Sequence, residues 1–151
     1  LRSPIGTDRA LATVEELFRH VVAKDADGLT QVFTRDAVTV VPGGGGPGPT
    51  SNAIAWWQMR FARLDYTKLA GAPIFRAADA DVARGEASLR AVNVGSMRTE
   101  RIADDDVVVH APLLTTHAGA DRFFGDEMTF WLRRDGDRYK IYRVLEDFQL
   151  N

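Results

Sequence analysis

Acidic, hydroxyl and aromatic side chains lie along two stretches near the C-terminal end of the chain, where together they could carry acid–base chemistry. The strand register that we favour puts the following side chains on one face: Glu127, Thr129 and Trp131 of the first stretch, and Tyr142, Val144 and Glu146 of the second. Two carboxylates, a phenol and an indole around one apolar substrate would form a proton-transfer site. A register shift of one residue would turn them all to the opposite face, where they would be interface residues.

A histidine within an apolar run could serve as a third proton-transfer group. His110 lies within residues 107–114, whose sequence is VVVHAPLL. An imidazole in such a run is either a core histidine with its hydrogen bonds satisfied or a general base. His117 lies seven residues further on, so the two rings point to opposite faces of a regular strand.

The chain offers little that would hold a metal or a cofactor. It has no cysteine, and its three histidines lack a compact ligand spacing such as HxxxH, so we expect no metal site. The glycine-rich residues 43–48 match the spacing of a dinucleotide-binding loop. Pro47 and Pro49 each remove a backbone N–H that a phosphate would need, and the chain lacks an alternating βαβ order. We therefore interpret this stretch as a loop and expect no cofactor.

The elements that must position these residues begin with helices. Apolar residues at three- and four-residue spacing predict a first helix; they are Leu11, Val14, Leu17, Phe18, Val21 and Val22. Asp25 or Asp27 can cap a short second helix, and residues 37–42 predict a strand. Thr50 or Ser51 can cap a third helix.

The second half of the chain is typical of strands joined by turns. We predict strands over residues 86–94, 107–117, 122–134 and 139–148. Asp135-Gly136-Asp137 predicts a hairpin turn, because glycine accepts a positive φ there. Helices followed by antiparallel strands predict an α+β fold with the helices on one face of the sheet. Trp56, at the edge of the apolar stripe of the third helix, could cover a bound ligand.

Length, composition and charge set further limits. The 151 residues suit one domain, residues 1–151, and their net charge of −2 argues against nucleic-acid binding. No apolar run is long enough to cross a membrane, and the start of the sequence lacks the apolar core of a signal peptide, so we expect a cytoplasmic protein. Both faces of the late strands are apolar, which predicts a homodimer whose second subunit covers the second face.

Three segments resemble the NTF2-like superfamily and, within it, the SnoaL-like and ketosteroid-isomerase-like branch. Residues 17–33 (LFRHVVAKDADGLTQVF) are similar to the opening helix, the turn and the second helix of that family. Residues 36–42 with the glycine-rich loop are similar to its first strand, and residues 128–141 to its closing hairpin. This hairpin also resembles the β subunits of ring-hydroxylating dioxygenases. The resemblance implies a cone, a curved sheet around the long helix with a pocket at its open end, and commonly a dimer.

The catalytic groups of ketosteroid isomerases are replaced in this sequence. By the resemblance, the base, the donor tyrosine and the second acid correspond to Val41, Leu17 and Thr129. A valine cannot transfer a proton, so the sequence argues against ketosteroid isomerase activity itself. The Asp/Arg/Asp arrangement of limonene-epoxide hydrolase-like members is not matched either.

Together, these features predict a cofactor-independent acid–base enzyme, of the isomerase, cyclase or dehydratase type, for a hydrophobic small molecule such as a polyketide, steroid-like or aromatic metabolite. The proton-transfer candidates are His110, Glu127 and Glu146, and the substrate-binding candidates are Trp56, Thr129, Trp131 and Tyr142. The alternative is a non-catalytic ligand-binding or scaffolding subunit resembling a dioxygenase β subunit. Two titratable groups near a common point of a pocket would favour the enzyme, whereas an interior filled by side chains would favour the scaffold.

Overall fold

The computed structural model describes residues 6–40, 50–84 and 105–148. Its helices are α1 (Asp8–Val22), α2 (Ala26–Val32) and α3 (Ala53–Arg63), with 3-10 turns at Tyr66–Leu69 and Ala77–Asp79. Its strands are β1 (Phe33–Val40), β2 (Thr50–Asn52), β3 (Asp81–Arg84), β4 (Val107–Pro112), β5 (His117–Ala118), β6 (Asp121–Arg122), β7 (Glu127–Asp135) and β8 (Arg138–Glu146). The strand predicted at residues 86–94 and the glycine-rich stretch lie outside the described residues.

The apolar stripe predicted for the first helix is the buried face of α1. Val14, Leu17 and Val21 are fully buried, as expected for an amphipathic helix that packs on a sheet. Lys24 follows the helix with a positive φ of 54° and turns the chain. Of the two aspartates predicted to cap α2, Asp25 does so, because its side chain accepts a hydrogen bond from the Gly28 amide.

The third helix begins one residue later than we expected. The side chain of Asn52 accepts a hydrogen bond from the Ala55 amide at 3.1 Å and caps α3. Thr50 and Ser51, the predicted caps, belong instead to β2, which pairs with β1. Asparagine is as good an N-terminal cap as serine or threonine. The pairing of β2 with β1 therefore decides which of the three residues caps α3.

The main sheet has six strands in the order β2-β1-β8-β7-β4-β3. The β1–β8 pair is parallel and the other neighbouring pairs are antiparallel, whereas β5 and β6 form a separate ribbon. The closing hairpin between β7 and β8 forms at the predicted turn, where Gly136 has a φ of 66°. The expected α+β fold, with helices packed on one face of a mainly antiparallel sheet, is confirmed.

Two of the predicted long strands are each divided into a short and a long piece. The predicted strand 107–117 contains β4 and the first residue of β5, and the predicted strand 122–134 contains the last residue of β6 and all of β7 except its last residue. Pro112 has no backbone N–H and ends β4, after which the amide of Leu113 donates to the Asp126 carbonyl. Gly119, with a φ of 61°, turns the chain between β5 and β6. Proline and glycine therefore set these strand ends.

A β-bulge interrupts the pairing of β7 with β8. Leu132 pairs with Ile141, whereas its neighbour Trp131 pairs with Arg143. Tyr142 is therefore the extra residue on β8. Because side chains alternate along a strand, an extra residue changes which face every later side chain occupies.

The main core lies between the helices and one face of the sheet, and a smaller cluster lies on the other face. Val108, Trp131 and Tyr142 form the smaller cluster, against which Leu145 packs. Trp131 is fully buried within the single chain, so burial of this second face does not by itself require a partner. The homodimer stays a prediction. Among the described residues, no helix combines the length and the apolar character needed to span a membrane.

Candidate functional site

Three of the predicted site residues form a continuous chain of polar contacts on the outer face of the sheet, the face away from the helices. His110 of β4 lies opposite Thr129 of β7 in the strand pairing. The Nδ1 atom of His110 lies 3.0 Å from the Thr129 hydroxyl oxygen. Its Nε2 atom lies 3.3 Å from a carboxylate oxygen of Glu127, at the start of β7. The imidazole thus joins a hydroxyl to a carboxylate.

The exposure of these three groups rises from the hydroxyl to the carboxylate. Thr129 is 4% exposed, and the side chains of His110 and Glu127 are 28% and 61% exposed. In both the neutral and the protonated ring, Nε2 can carry a hydrogen towards Glu127. A hydroxyl can donate to Nδ1 of the neutral ring or accept from that of the protonated ring. The carboxylate and the hydroxyl can therefore hold the imidazole from both of its ring nitrogens.

Trp131 and Tyr142 lie on the same face as this chain of contacts, further along β7 and β8. The Tyr142 hydroxyl lies 3.3 Å from a carboxylate oxygen of buried Asp106. Arg133 forms an ion pair with the same carboxylate at 2.9 Å and stacks over the Tyr142 ring. Sequence reasoning missed this pair, because its two residues lie 27 positions apart in the chain.

The direction in which these residues face differs from our expectation. The register was expected to turn Glu127, Thr129 and Trp131 towards the pocket of the cone. Their strand neighbours Met128 and Phe130 instead pack with α1 in the main core. Both faces of β7 carry apolar residues, so the alternation alone could not tell which face meets the helices.

The structure does not bring Glu146 together with the other predicted residues. Without a bulge, Tyr142 and Glu146 would share a face of β8. The extra residue at Tyr142 places Glu146 on the helix-facing side, opposite Met128 and beside α3. There it forms a buried ion pair with Arg60, which explains why a carboxylate is tolerated inside the fold.

Arg60 lies at the centre of a fully buried polar network. Its guanidinium donates to both carboxylate oxygens of Glu146, at 2.5 and 3.2 Å, and to the Phe123 carbonyl at 2.6 Å. Its Nε donates to the Tyr66 hydroxyl at 2.8 Å, and that hydroxyl donates to the same carbonyl. The amide of Gly125 donates to Glu146. The network links α3, the 3-10 turn after it and the C-terminal end of β8.

The burial of this network governs its protonation. Burial by itself lowers the pKa of Arg60, but the charge of Glu146 and the contacts with Tyr66 outweigh it and raise the pKa above its usual value. Burial raises the pKa of Tyr66 to about 12, although the nearby Arg60 opposes the increase. At neutral pH the guanidinium is charged and the phenol is neutral. The network is therefore a buried structural element that does not offer a proton at neutral pH.

Solved structures of low sequence identity share this architecture over nearly the whole chain. An NTF2-like protein of unknown function from Pseudomonas putida KT2440 matches 95% of this chain and 87% of its own, with a TM-score of 0.55 and 15% identity. The S. rosetta CaMKII hub matches 96% of this chain and 98% of its own, with a TM-score of 0.54 and 15% identity. A protein from Novosphingobium aromaticivorans, provisionally named an aromatic ring hydroxylase, matches 99% and 94%, with a TM-score of 0.52 and 19% identity.

Each match covers most of this chain and most of the matched protein, and this coverage decides the fold. This chain has the NTF2-like fold. No protein-family model and no curated protein sequence matches it. The likeness therefore extends to the α+β cone and not to an activity.

The remaining predicted residue of this NTF2-like chain stands apart from the outer face. Trp56 is a partly exposed side chain of α3, on the helix side of the sheet. Within residues 6–40, 50–84 and 105–148, no cluster of three or more histidine, cysteine or acidic side chains could hold a metal ion.

Arg60 is the residue that sequence reasoning missed on the helix side. It lies in the apolar stripe of α3, three positions after Trp57 and next to Phe61. A charged residue within such a stripe signals a buried ion pair. Its partner in β8 could not be read from the sequence.

Proposed function

We propose that this protein is a cofactor-independent acid–base enzyme for a hydrophobic small molecule, with His110 and Glu127 as its proton-transfer groups. The observation that carries the proposal is the continuous contact from Glu127 through His110 to Thr129. A histidine held between a carboxylate and a hydroxyl is a common arrangement for general acid–base catalysis. Isomerisation of an unsaturated ketone, aldol-type cyclisation and loss of water from a β-hydroxy ketone each involve removal of a proton next to the carbonyl, and the proposal concerns that shared step.

The two groups take complementary roles in this step. Glu127 is the more exposed, and its carboxylate accepts the proton of a carbon next to a substrate carbonyl. The electrons of the broken C–H bond form a carbon–carbon double bond, and negative charge develops on the carbonyl oxygen. The Nε2 hydrogen of His110 then binds that oxygen, while the Thr129 hydroxyl holds Nδ1. Return of the proton to a different carbon completes an isomerisation.

The other predicted residues have supporting places in the proposal. Trp131 and Tyr142 belong to the outer face but are themselves buried, so in the proposal they support the sheet surface that carries His110 rather than contact substrate. Glu146 lies outside the proposed site, because both of its oxygens are bound to Arg60 on the other side of the sheet.

Deuterium exchange tests the proton-removal step without knowledge of the natural substrate. The protein is incubated in D2O with a panel of aromatic, polycyclic and aliphatic ketones, and deuterium incorporation next to the carbonyl is read by mass spectrometry. We expect exchange above the buffer rate with at least one ketone, a loss of about 100-fold in Glu127→Gln and about 10-fold or more in His110→Gln. Asp126→Asn is the matched control, since it removes an exposed carboxylate one residue away. Equal rates in Glu127→Gln and the control, or no exchange at all, would contradict the proposal.

The second candidate function is a non-catalytic scaffold, and the packing of described side chains around Arg60 favours it. Aromatic rings surround the buried Arg60–Glu146 pair, with Trp57 at 3.9 Å and Phe148 at 4.4 Å from the guanidinium carbon. An interior filled in this way leaves no room for substrate at that place. The CaMKII hub and the protein provisionally named a ring hydroxylase share the fold.

The scaffold and the homodimer are tested by the same measurement. If the homodimer and the scaffold predictions are correct, light scattering on the purified chain should give the mass of a dimer or a larger assembly. A monomer would contradict both the predicted homodimer and a scaffold made of this chain alone. Ketone exchange that depends on Glu127 would favour the enzyme over the scaffold.

A further inference from the structure

We propose a second binding site, on the helix side of the fold, for an amphipathic anion that combines an apolar body with one carboxylate or phosphate group. A cleft of about 390 Å³ lies between α1 and residues 69–75. Such a volume is typical of sites for small molecules. It lies across the sheet from His110, so it is independent of the acid–base site.

The floor of this cleft is apolar. The side chains of Phe18 and Val22 come from α1, and those of Ile74 and Phe75 come from the facing segment. The Phe18 and Phe75 rings stack with centroids 5.6 Å apart and planes 25° from parallel. Phe18 and Ile74 are each 5% exposed, so the floor is supported by the core beneath it. An aliphatic chain or an aromatic ring would gain from burial against this surface.

A basic depression adjoins the cleft on the other side of α1. It measures about 220 Å³, and the described residues that line it include three arginines, Arg9, Arg19 and Arg138, and one acid, Glu16. Glu16 binds Arg138 at 3.1 Å. Arg9 and Arg19 form no ion pair within the described part of the chain. The whole chain carries a net charge of −2, so three arginines in one depression are a local excess of positive charge.

Arg19 joins the two regions, because its side chain lines both the cleft and the depression. A ligand whose apolar body lies against Phe18 and Phe75 would present its end group to this guanidinium. Arginine binds planar carboxylates and phosphates through paired hydrogen bonds. The charge pattern therefore selects an anion over a cation or a neutral amphiphile. Glu15, at the rim of the cleft, would weaken anion binding by repulsion.

Calorimetric titration with decanoate and decyl phosphate, each kept below its micelle concentration, tests this site. Decyltrimethylammonium offers the same chain with the opposite charge, and inorganic phosphate offers the end group alone. We expect both decyl anions to bind at least tenfold more tightly than either comparison probe. The tighter of the two anions identifies the end group as carboxylate or phosphate.

Variants connect the binding to the named residues. Arg19→Gln should weaken decyl anion binding about tenfold or more. Phe75→Leu should also weaken it, because it removes the ring that stacks on Phe18 while keeping an apolar side chain against the core. Glu15→Gln should tighten it severalfold. Arg63→Gln, an exposed arginine on α3, is the matched control and should bind as the wild type does. Equal binding of the cationic probe, an unaffected Arg19→Gln variant, or binding to anionic phospholipid vesicles alone would overturn the proposal.

Discussion

The guanidinium of Arg60 and the carboxylate of Glu146 are joined by two hydrogen bonds across 86 positions of sequence. Arg60 is fully buried and Glu146 is 4% exposed. Removing one partner from such a pair leaves an uncompensated charge in a low dielectric, whereas removing both leaves none. We therefore expect the losses of unfolding free energy caused by replacing Arg60 and Glu146 to be non-additive.

We expect Arg60→Met and Glu146→Leu each to lower the free energy of unfolding by about 3–5 kcal/mol. The double variant should lose less than either single one, because neither charge is then left unpaired. Urea unfolding monitored by circular dichroism measures all three. Lys68→Met, which breaks an exposed ion pair with Asp121, is the control and should cost about 0–1 kcal/mol. Additive losses in the double variant would contradict the prediction.

The stability of the fold should fall at alkaline pH because of Tyr66. Its pKa is raised from 10.0 to about 12, so the folded state holds the proton more tightly than the unfolded state does. The resulting stabilisation is complete below pH 10 and is lost as the pH rises towards about 12. The shift corresponds to about 2–3 kcal/mol.

Comparison with Tyr66→Phe isolates this contribution from the other alkaline groups. The difference in unfolding free energy between wild type and variant should shrink between about pH 9.5 and about pH 11.5. Urea unfolding at several pH values in this window measures it. A difference that stays constant with pH would show that the Tyr66 proton is not linked to folding.

Gly125 should tolerate no side chain. A Cβ atom there would lie within 2.3 Å of the Asp147 carbonyl oxygen, a backbone atom that cannot turn away. We expect Gly125→Ala to lower the free energy of unfolding by about 2–3 kcal/mol, because the loop that donates to Glu146 must shift.

Gly136 supplies the control for this substitution. It has a positive φ but open space around its Cβ position, so Gly136→Ala should cost only about 1–2 kcal/mol of backbone strain. Thermal and urea unfolding of the two variants measure the contrast. A Gly125→Ala variant as stable as wild type would contradict the packing argument.

Thr129 should act on the proposed chemistry through His110, so this prediction rests on the proposed function. Thr129→Val keeps the shape of the side chain but removes the hydroxyl that lies 3.0 Å from Nδ1. We expect ketone deuterium exchange to fall about tenfold or more and its pH profile to move, since Nδ1 loses its partner. Thr129→Ser should restore both. A purely structural role would lower the stability of Thr129→Val while leaving the pH profile of exchange unchanged.

Local patterns in the sequence were sufficient for much of the fold. The stripe that includes Leu17 predicted α1, because helical periodicity and burial are read over one short window. Gly136 predicted the closing hairpin, because the ability of glycine to adopt a positive φ does not depend on the rest of the fold. The candidate residues His110, Glu127 and Thr129 were named from their types and position, and the strand pairing brings them together.

Only the tertiary structure decided which way those residues face and which charges meet. Both faces of β7 are apolar, so alternation is compatible with either orientation until the helices pack on one of them. The bulge at Tyr142 then moves Glu146 to the helix side. Its pairing with Arg60 depends on two segments far apart in sequence. Periodicity is a local property that a sequence determines, whereas the choice of face and of partner is made by long-range packing.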